Sequence, residues 1–357
     1  MVRPVRVAIV GAGNVARLHA EGLCRLGGRA QLVAAMDVDP DRLAAFCDEH
    51  GIPGRYSDLD ELLAEAEPGL VHLCTPPALH FEQARRCLEA GVSVLVEKPP
   101  TLSLRQLDEL AAMGSAGPWL ATVFQHRFGS GARRLRALAS SGVLGRPLLA
   151  ICHTTWFRDQ AYFDVAWRGR WESEGGGPTM GHGIHQMDLL LSVLGDWAEV
   201  SAVVRRQARR TQTEDLSLAH VILANGAVAS VVNSVLSPRE ESYLRFDFER
   251  ATVELRHLYG YGDADWRLTP APGAEEVLDA WEAGERGIPS GHRSQFAEVL
   301  RSLEEGAPPP VTPAESRRTM ALVAGIYASG LGGGPVTPAD LEGSPFYDRM
   351  DGGGARW

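Results

Sequence analysis

The sequence predicts an α/β protein: a doubly wound parallel sheet over residues 1–125, followed by an α+β region over residues 126–357 with a mostly antiparallel open sheet. Three observations predict it. Short apolar runs alternate with amphipathic helical stretches up to Phe124. Beyond it, long β-like runs follow one another without intervening helices. A glycine turn stands directly between the first run and the first helix.

Residues 5–10 form the first strand, and Val15, Leu18, Gly22 and Leu26 follow at helical spacing. Residues 31–36 are the next strand. Asp39 then caps a helix with Pro40 at its first position. Ser57 with Asp60 resembles a capping box for a short helix. Residues 70–74 read as a buried strand closed by Pro76 and Pro77, and residues 79–90 as a helix that stops at Gly91. Residues 92–96 are a further strand. Ser103 with Gln106 caps the next helix, and residues 119–124 are the sixth strand.

In the second region residues 130–141 read as a helix and 148–157 as a strand. A loop rich in aromatics and glycine spans 158–177, and an apolar helix spans 179–194. A more polar face beside the apolar one is expected to carry His185, Asp188 and Ser192 and to line the substrate cleft, with Asp188 orienting the histidine. The β-like runs are 199–206, 216–224, 227–236, 243–248 and 252–257, with Asn225-Gly226 as a hairpin signal. Thr312-Pro313-Ala314-Glu315 opens a late helix, 313–330, expected to pack back on the first domain. Residues 351–357 are expected to be mobile.

At roughly 150 residues per domain, 357 residues suggest two domains. The net charge of −10 argues against a nucleic-acid or anionic-membrane partner, since both recruit basic patches. Cys24, Cys47, Cys74, Cys87 and Cys152 form no C-x-x-C pair and read mostly as small core residues of a reducing compartment. The opening apolar run is too short for a secretory signal or a membrane span, so the cytoplasm is the expected location.

Gly11-Ala12-Gly13-Asn14-Val15-Ala16 is G-x-G-x-x-A between a strand and a helix. Gly11 permits the tight turn, Gly13 lets the backbone approach a pyrophosphate, and Ala16 allows close helix–sheet packing. The helix opening at Asn14 and Val15 offers free N–H groups and a positive dipole end to phosphates. A Rossmann dinucleotide domain is the expectation. Asp37 ends the second strand, where a carboxylate binds both ribose hydroxyls and repels a 2′-phosphate; NAD is therefore expected over NADP.

Three further segments carry a family resemblance: Val71-His72-Leu73-Cys74-Thr75-Pro76-Pro77-Ala78-Leu79-His80, Glu97-Lys98-Pro99, and Gly175-Gly176-Gly177 followed by Gly183-Ile184-His185-Gln186-Met187-Asp188. In this order they resemble the Gfo/Idh/MocA oxidoreductases, and Gly291-His292-Arg293-Ser294-Gln295 fits as well. The resemblance implies that Thr75, Pro76 and His80 line the phosphate–ribose path, and that Glu97 and Lys98 approach the nicotinamide ribose and substrate. It implies a cofactor role for Gln125, a substrate role for the Trp167-Arg168 segment, a cis Lys98–Pro99 bond, and a homodimer or tetramer. One position departs: many sugar and inositol dehydrogenases of the family have aspartate four residues before the active-site histidine, where this chain has Gly181. His182 or the substrate itself then has to serve as the polar partner.

Oxidising a secondary alcohol needs a hydride acceptor, which the cofactor supplies, and a group that moves the hydroxyl proton. Lys98 and His185 are the expected pair, the histidine as base and the lysine as stabiliser of a developing alkoxide. His182 and His185, three apart, lack an evident third ligand, so no metal is expected. The expected activity is an NAD-dependent dehydrogenase or ketoreductase acting on a sugar, sugar derivative or cyclitol. An NAD-using glycosidase and a non-catalytic cofactor sensor remain as alternatives.

Overall fold

The computed structural model describes residues 3–114 and 117–354, so part of the expected mobile end lies outside the described residues. The chain forms two compact units, Met1–Val123 with His292–Arg317, and Phe124–Gly291 with Arg318–Trp357.

The first unit is built on β1 (Val5–Val10), β2 (Ala30–Met36), β3 (Gly54–Tyr56), β4 (Leu70–Leu73), β5 (Ser93–Val96) and β6 (Leu120–Thr122). They lie in the order β3-β2-β1-β4-β5-β6 with every pairing parallel. The chain order reverses between β1 and β4, and open α/β sheets bind ligands outside the carboxyl ends of the strands at such a point. β4 and β5 are buried throughout, as a sheet covered on both faces by helices requires. The covering helices are α1 (Asn14–Cys24), α2 (Pro40–His50), α3 (Leu59–Ala66), α4 (Pro77–Glu89) and α5 (Leu104–Met113).

Asp39 caps α2 by accepting from the amides of Asp41 and Arg42, and Ser103 caps α5 through the Gln106 amide. At α3 the cap is Asp58, not the expected Ser57; its carboxylate accepts from Asp60 and Glu61. The helix His292–Glu305 joins this unit by laying Phe296 against α1, so closely that a Cβ at Gly22 would sit 3.1 Å from the ring. Full burial of Phe296 contributes about 1.5–3 kcal/mol to that docking. The Thr312–Glu315 capping box forms as expected, with the Glu315 amide donating to the Thr312 hydroxyl at 3.2 Å and the Thr312 amide to Glu315 at 2.9 Å.

The second unit carries β7 (Pro147–Phe157), β8 (Trp197–Arg205), β9 (Leu216–Leu223), β10 (Val228–Ser234), β11 (Leu236–Phe248), β12 (Ala251–His257) and β13 (Trp266–Pro270). The order is β13-β12-β11-β7-β10-β9-β8, antiparallel except where β7 and β10 run parallel. The strand β13 is unforeseen, because its short Trp266-Arg267-Leu268-Thr269-Pro270 run sits among turn residues. Asn225-Gly226 makes the expected hairpin between β9 and β10, with Gly226 at φ +88°.

The expected helix 179–194 has two parts: a π-helical turn, Thr179–Gly183, and an α-helix, Ile184–Leu194. Residues 184–191 are all buried, His185 and Asp188 among them. Cys24 is exposed, while the other four cysteines are buried. Among the described residues no helix is long and apolar enough to cross a membrane.

Candidate active site

In the first unit the glycine turn sits where β1 ends. Gly11 has φ +91°, and a Cβ there would lie 2.9 Å from the Cys74 carbonyl and the Thr75 amide. Glycine is thus required by the neighbouring β4 loop. Gly13 is different, since nothing in the protein lies within 4 Å of a Cβ built on it. Protein packing does not demand that glycine, and open space on the outer side of the turn is what a cradle for a pyrophosphate needs. The residues therefore fit a dinucleotide, with Gly11, Gly13 and the amides at Asn14 and Val15 at the opening of α1.

Asp37 accepts from the Ala12 amide at 2.8 Å and the Asp39 amide at 2.9 Å, so it also ties the glycine turn to β2. Arg42 grips it with two bonds, at 3.1 and 2.9 Å. Burial raises the Asp37 pKa, but the Arg42 guanidinium and these two amides outweigh it and hold the carboxyl below its ordinary value. Thr75 donates its hydroxyl to Gln83 at 2.6 Å, and Pro76 precedes α4. His80 is fully buried, with ring nitrogens 2.8 Å from the carbonyl oxygens of both Thr75 and Pro99. It braces the loops after β4 and β5 from beneath.

Glu97 and Lys98 follow β5, and the Lys98–Pro99 bond is cis. Glu97 is buried, and its Oε1 lies 3.0 Å from His19 Nε2 and 3.3 Å from His292 Nε2. His19 Nδ1 in turn lies 2.9 Å from His72 Nδ1. Burial alone would raise the Glu97 pKa; the two imidazoles reverse that and hold it well below the usual range. The ligand atoms of His19, Glu97 and His292 lie within 4.8 Å of one another, a grouping that could hold a metal. One carboxylate oxygen shared by two imidazole N–H groups accounts for the same geometry without an ion.

The second unit holds His182, His185, Gln125, Trp167 and Arg168. Gln125 donates its amide to the Tyr259 hydroxyl. His185 packs among Phe124, His126 and Tyr259, with ring centres 6.4, 5.0 and 6.0 Å away. Asp188, expected to orient it, is gripped by Arg127 through two 2.6 Å bonds and by the Thr319 hydroxyl at 3.2 Å. His182 lies edge-on to Trp156, 5.0 Å between centres, and near Tyr162. The Arg168 guanidinium stacks over Tyr162 at 4.1 Å and over Trp167 at 4.2 Å, and pairs with the buried Glu174 at 2.9 Å. Beside Gly181 the space is open: a Cβ there would meet only Glu174 Oε1, 3.9 Å away.

The triple glycine has a packing reason invisible in sequence. A Cβ at Gly176 would fall 2.1 Å from the Tyr327 hydroxyl, one at Gly177 1.9 Å from the Glu214 carbonyl, and one at Gly183 1.8 Å from Asn233 Oδ1. Glu214 is fully buried and accepts from the amides of Gly177 at 2.9 Å and Thr179 at 3.0 Å and from the Tyr327 hydroxyl at 2.9 Å. It holds the entry to the helix that carries His182 and His185. Burial pushes its pKa up to about 7 against these donors.

Sequence reasoning gives no role to His19, His292, Arg42, Arg127 or Glu214. It also missed a composition signal. Of 35 basic side chains, 34 are arginine, and Lys98 is the sole lysine of the chain.

Two family models match. One, described as an oxidoreductase family with an NAD-binding Rossmann fold, covers residues 5–116; the other, the GFO/IDH/MocA C-terminal domain, covers residues 132–254. A D-glucoside 3-dehydrogenase of Escherichia coli is 34% identical over 197 residues, a match that takes in 54% of each chain. A myo-inositol 2-dehydrogenase of Thermotoga maritima is 26% identical over 64% of this chain and 68% of its own. Among solved structures, the WlbA dehydrogenase of Bordetella pertussis, in complex with NADH and UDP-GlcNAcA, superposes with a TM-score of 0.84 at 26% identity over 94% of this chain and 99% of that one.

Proposed function

The chain belongs to the Gfo/Idh/MocA family of oxidoreductases, and on that premise we propose that it is an NAD-dependent dehydrogenase or ketoreductase acting on a secondary alcohol or ketone of a sugar, sugar derivative or cyclitol. The observation that carries this reading is the lone lysine. Every other cation in the chain is arginine, and lysine stands only at position 98, after β5 and next to the buried Glu97. Arginine supplies charge and hydrogen bonds, but it does not release a proton near neutral pH and is a poor compact point charge. A position that keeps a primary amine in such a composition points to a need for proton or alkoxide chemistry.

The glycine turn, Asp37 and Thr75 hold the dinucleotide, which when bound supplies the hydride acceptor. Lys98 stabilises the developing alkoxide, and His185 takes the hydroxyl proton. Trp167, Arg168 and His182 face the polyhydroxylated substrate. The named activities of the E. coli and T. maritima relatives support that substrate class. A homo-oligomer is part of the same reading, supported by the row Leu149, Val228 and Ile222, register neighbours across β7, β10 and β9 that all expose apolar side chains.

The test is a panel of sugars and cyclitols followed by NADH formation, with Lys98→Arg beside the wild type. We expect NAD reduction with at least one substrate, and a loss on the order of 10²-fold or more in the variant with NAD affinity retained. Near-normal turnover by Lys98→Arg refutes the reading. Product formation without stoichiometric NADH would favour a glycosidase instead.

A further inference from the structure

Glu97 and Pro99 flank the sole lysine, and both are held by buried imidazoles. Glu97 Oε1 is shared by His19 and His292, and the Pro99 carbonyl lies 2.8 Å from His80 Nδ1. The remaining carboxylate oxygen, Oε2, accepts the main-chain amide of Lys98 at 3.2 Å.

One fact sets the whole hydrogen-bond chain. Glu97 is a carboxylate and only accepts, so the Nε2 atoms of His19 and His292 must both carry protons. Burial lowers the His19 pKa, which makes it the neutral tautomer with Nδ1 bare. His72 must then donate from its own Nδ1 across 2.9 Å, which leaves its Nε2 as the bare nitrogen; that atom is buried with no partner. A bare nitrogen there is cheaper than an orphaned N–H. The order of donors therefore runs His72 to His19 to Glu97, with His292 closing from the other side.

We propose that His19 and His292 are positioning residues for Lys98, acting through Glu97. The inference rests on the catalytic reading of Lys98 given above. A carboxylate pinned at one oxygen by two donors has its second oxygen fixed in space, and that oxygen fixes the peptide that carries the lysine. His292 comes from residues far along the chain, at the start of a helix that docks on α1, so it also ties the lysine segment to that helix.

The test exploits the single lysine. Reductive methylation with ¹³C-formaldehyde labels only Lys98 and the α-amine, giving one side-chain resonance that needs no substrate. His292 is the side chain to change, because it stands at the edge of the network and its loss leaves the His19 bond in place. His292→Ala should move the Lys98 resonance toward that of free dimethyl-lysine. His292→Gln, whose amide nitrogen can replace Nε2 as donor, should restore it. Glu97→Gln keeps the shared oxygen but loses the acceptor for the Lys98 amide, and should move it as His292→Ala does.

With the substrate found by the panel, unlabelled His292→Ala should lose on the order of 10- to 100-fold in kcat, as a misplaced catalytic group does, while NAD affinity holds. An unmoved resonance in both His292→Ala and Glu97→Gln overturns the proposal. So does a glutamine variant that behaves as the alanine one, or zinc bound at one per chain by the wild type and lost in His292→Gln. Lys98→Arg separates the two levels: if it is active, the catalytic reading fails, and if it is inactive while His292→Ala is fully active, only the positioning role fails.

Discussion

Replacing Glu214 by glutamine should remove a component of the pH dependence of stability. The side chain is fully buried, and its donors are main-chain amides and hydroxyls, the Tyr327 hydroxyl among them. Burial therefore dominates and raises the pKa from 4.5 to about 7. That rise corresponds to about 3 kcal/mol of preference for the protonated form in the folded chain. Between the two values the folded chain keeps a proton that the unfolded chain has released. The contribution is present below about pH 4.5 and is lost as pH rises through about 7. Urea unfolding at acid and mildly alkaline pH, wild type against Glu214→Gln, measures it as a double difference, so that offsets from the new amide cancel. The wild type should lose about 3 kcal/mol more than the variant over that range, or roughly 6–12 °C in Tm by the scaling for a domain of this size. Equal pH dependence in the two proteins would refute the argument that amide and hydroxyl donors leave burial in control.

Three further outcomes follow from the geometry. Asp37→Ser should narrow the preference for NAD over NADP by on the order of 10²-fold or more, because it removes a charge-assisted ribose bond of about 1.5–3 kcal/mol and frees Arg42 for a 2′-phosphate; titration of both cofactors checks it, and an unchanged ratio contradicts it. Gly177→Ala should cost about 1–3 kcal/mol or more, since its Cβ would meet the Glu214 carbonyl at 1.9 Å, whereas Gly13→Ala should keep the wild-type Tm and weaken NAD binding; calorimetry with and without NAD separates them. His185→Ala should cut turnover by about 10²-fold or more and remove the limb of the pH–rate profile near neutrality; a profile that keeps that limb would assign the proton step elsewhere.

Much of the first unit is legible in the sequence because its signals are local. The glycine turn, the Asp39 and Ser103 caps and the strand-ending Asp37 each act within a few residues of themselves. Even the miss at α3 is local, a shift by one residue from Ser57 to Asp58. What spacing cannot carry is partnership across the fold. Glu97 stands out beside Lys98, yet its partners lie 78 positions before it and 195 after it. Arg42 sits on the next helix rather than beside Asp37, so a search of the adjacent residue for a cation finds only Val38. The lone lysine is legible in principle, but a combined count of basic residues conceals it.

In the second unit the motif is legible and its cause is not. Three glycines in a row read as a loop, while the structure shows a backbone pressed against Glu214 and Tyr327. In the helix after it, the polar positions His185 and Asp188 are legible, but the Arg127 that meets Asp188 in the interior is not. Each unit thus braces a candidate-site segment with a buried glutamate, and the two glutamates move in opposite directions. Glu97 meets imidazoles, which stabilise its charge enough to reverse the effect of burial. Glu214 meets amides and hydroxyls, which do not. The type of donor, rather than the depth of burial, decides whether such a brace stays charged. A glutamine at position 97 should therefore act on the lysine with little change in pH dependence between about pH 5 and 8, while a glutamine at position 214 should act mainly through it.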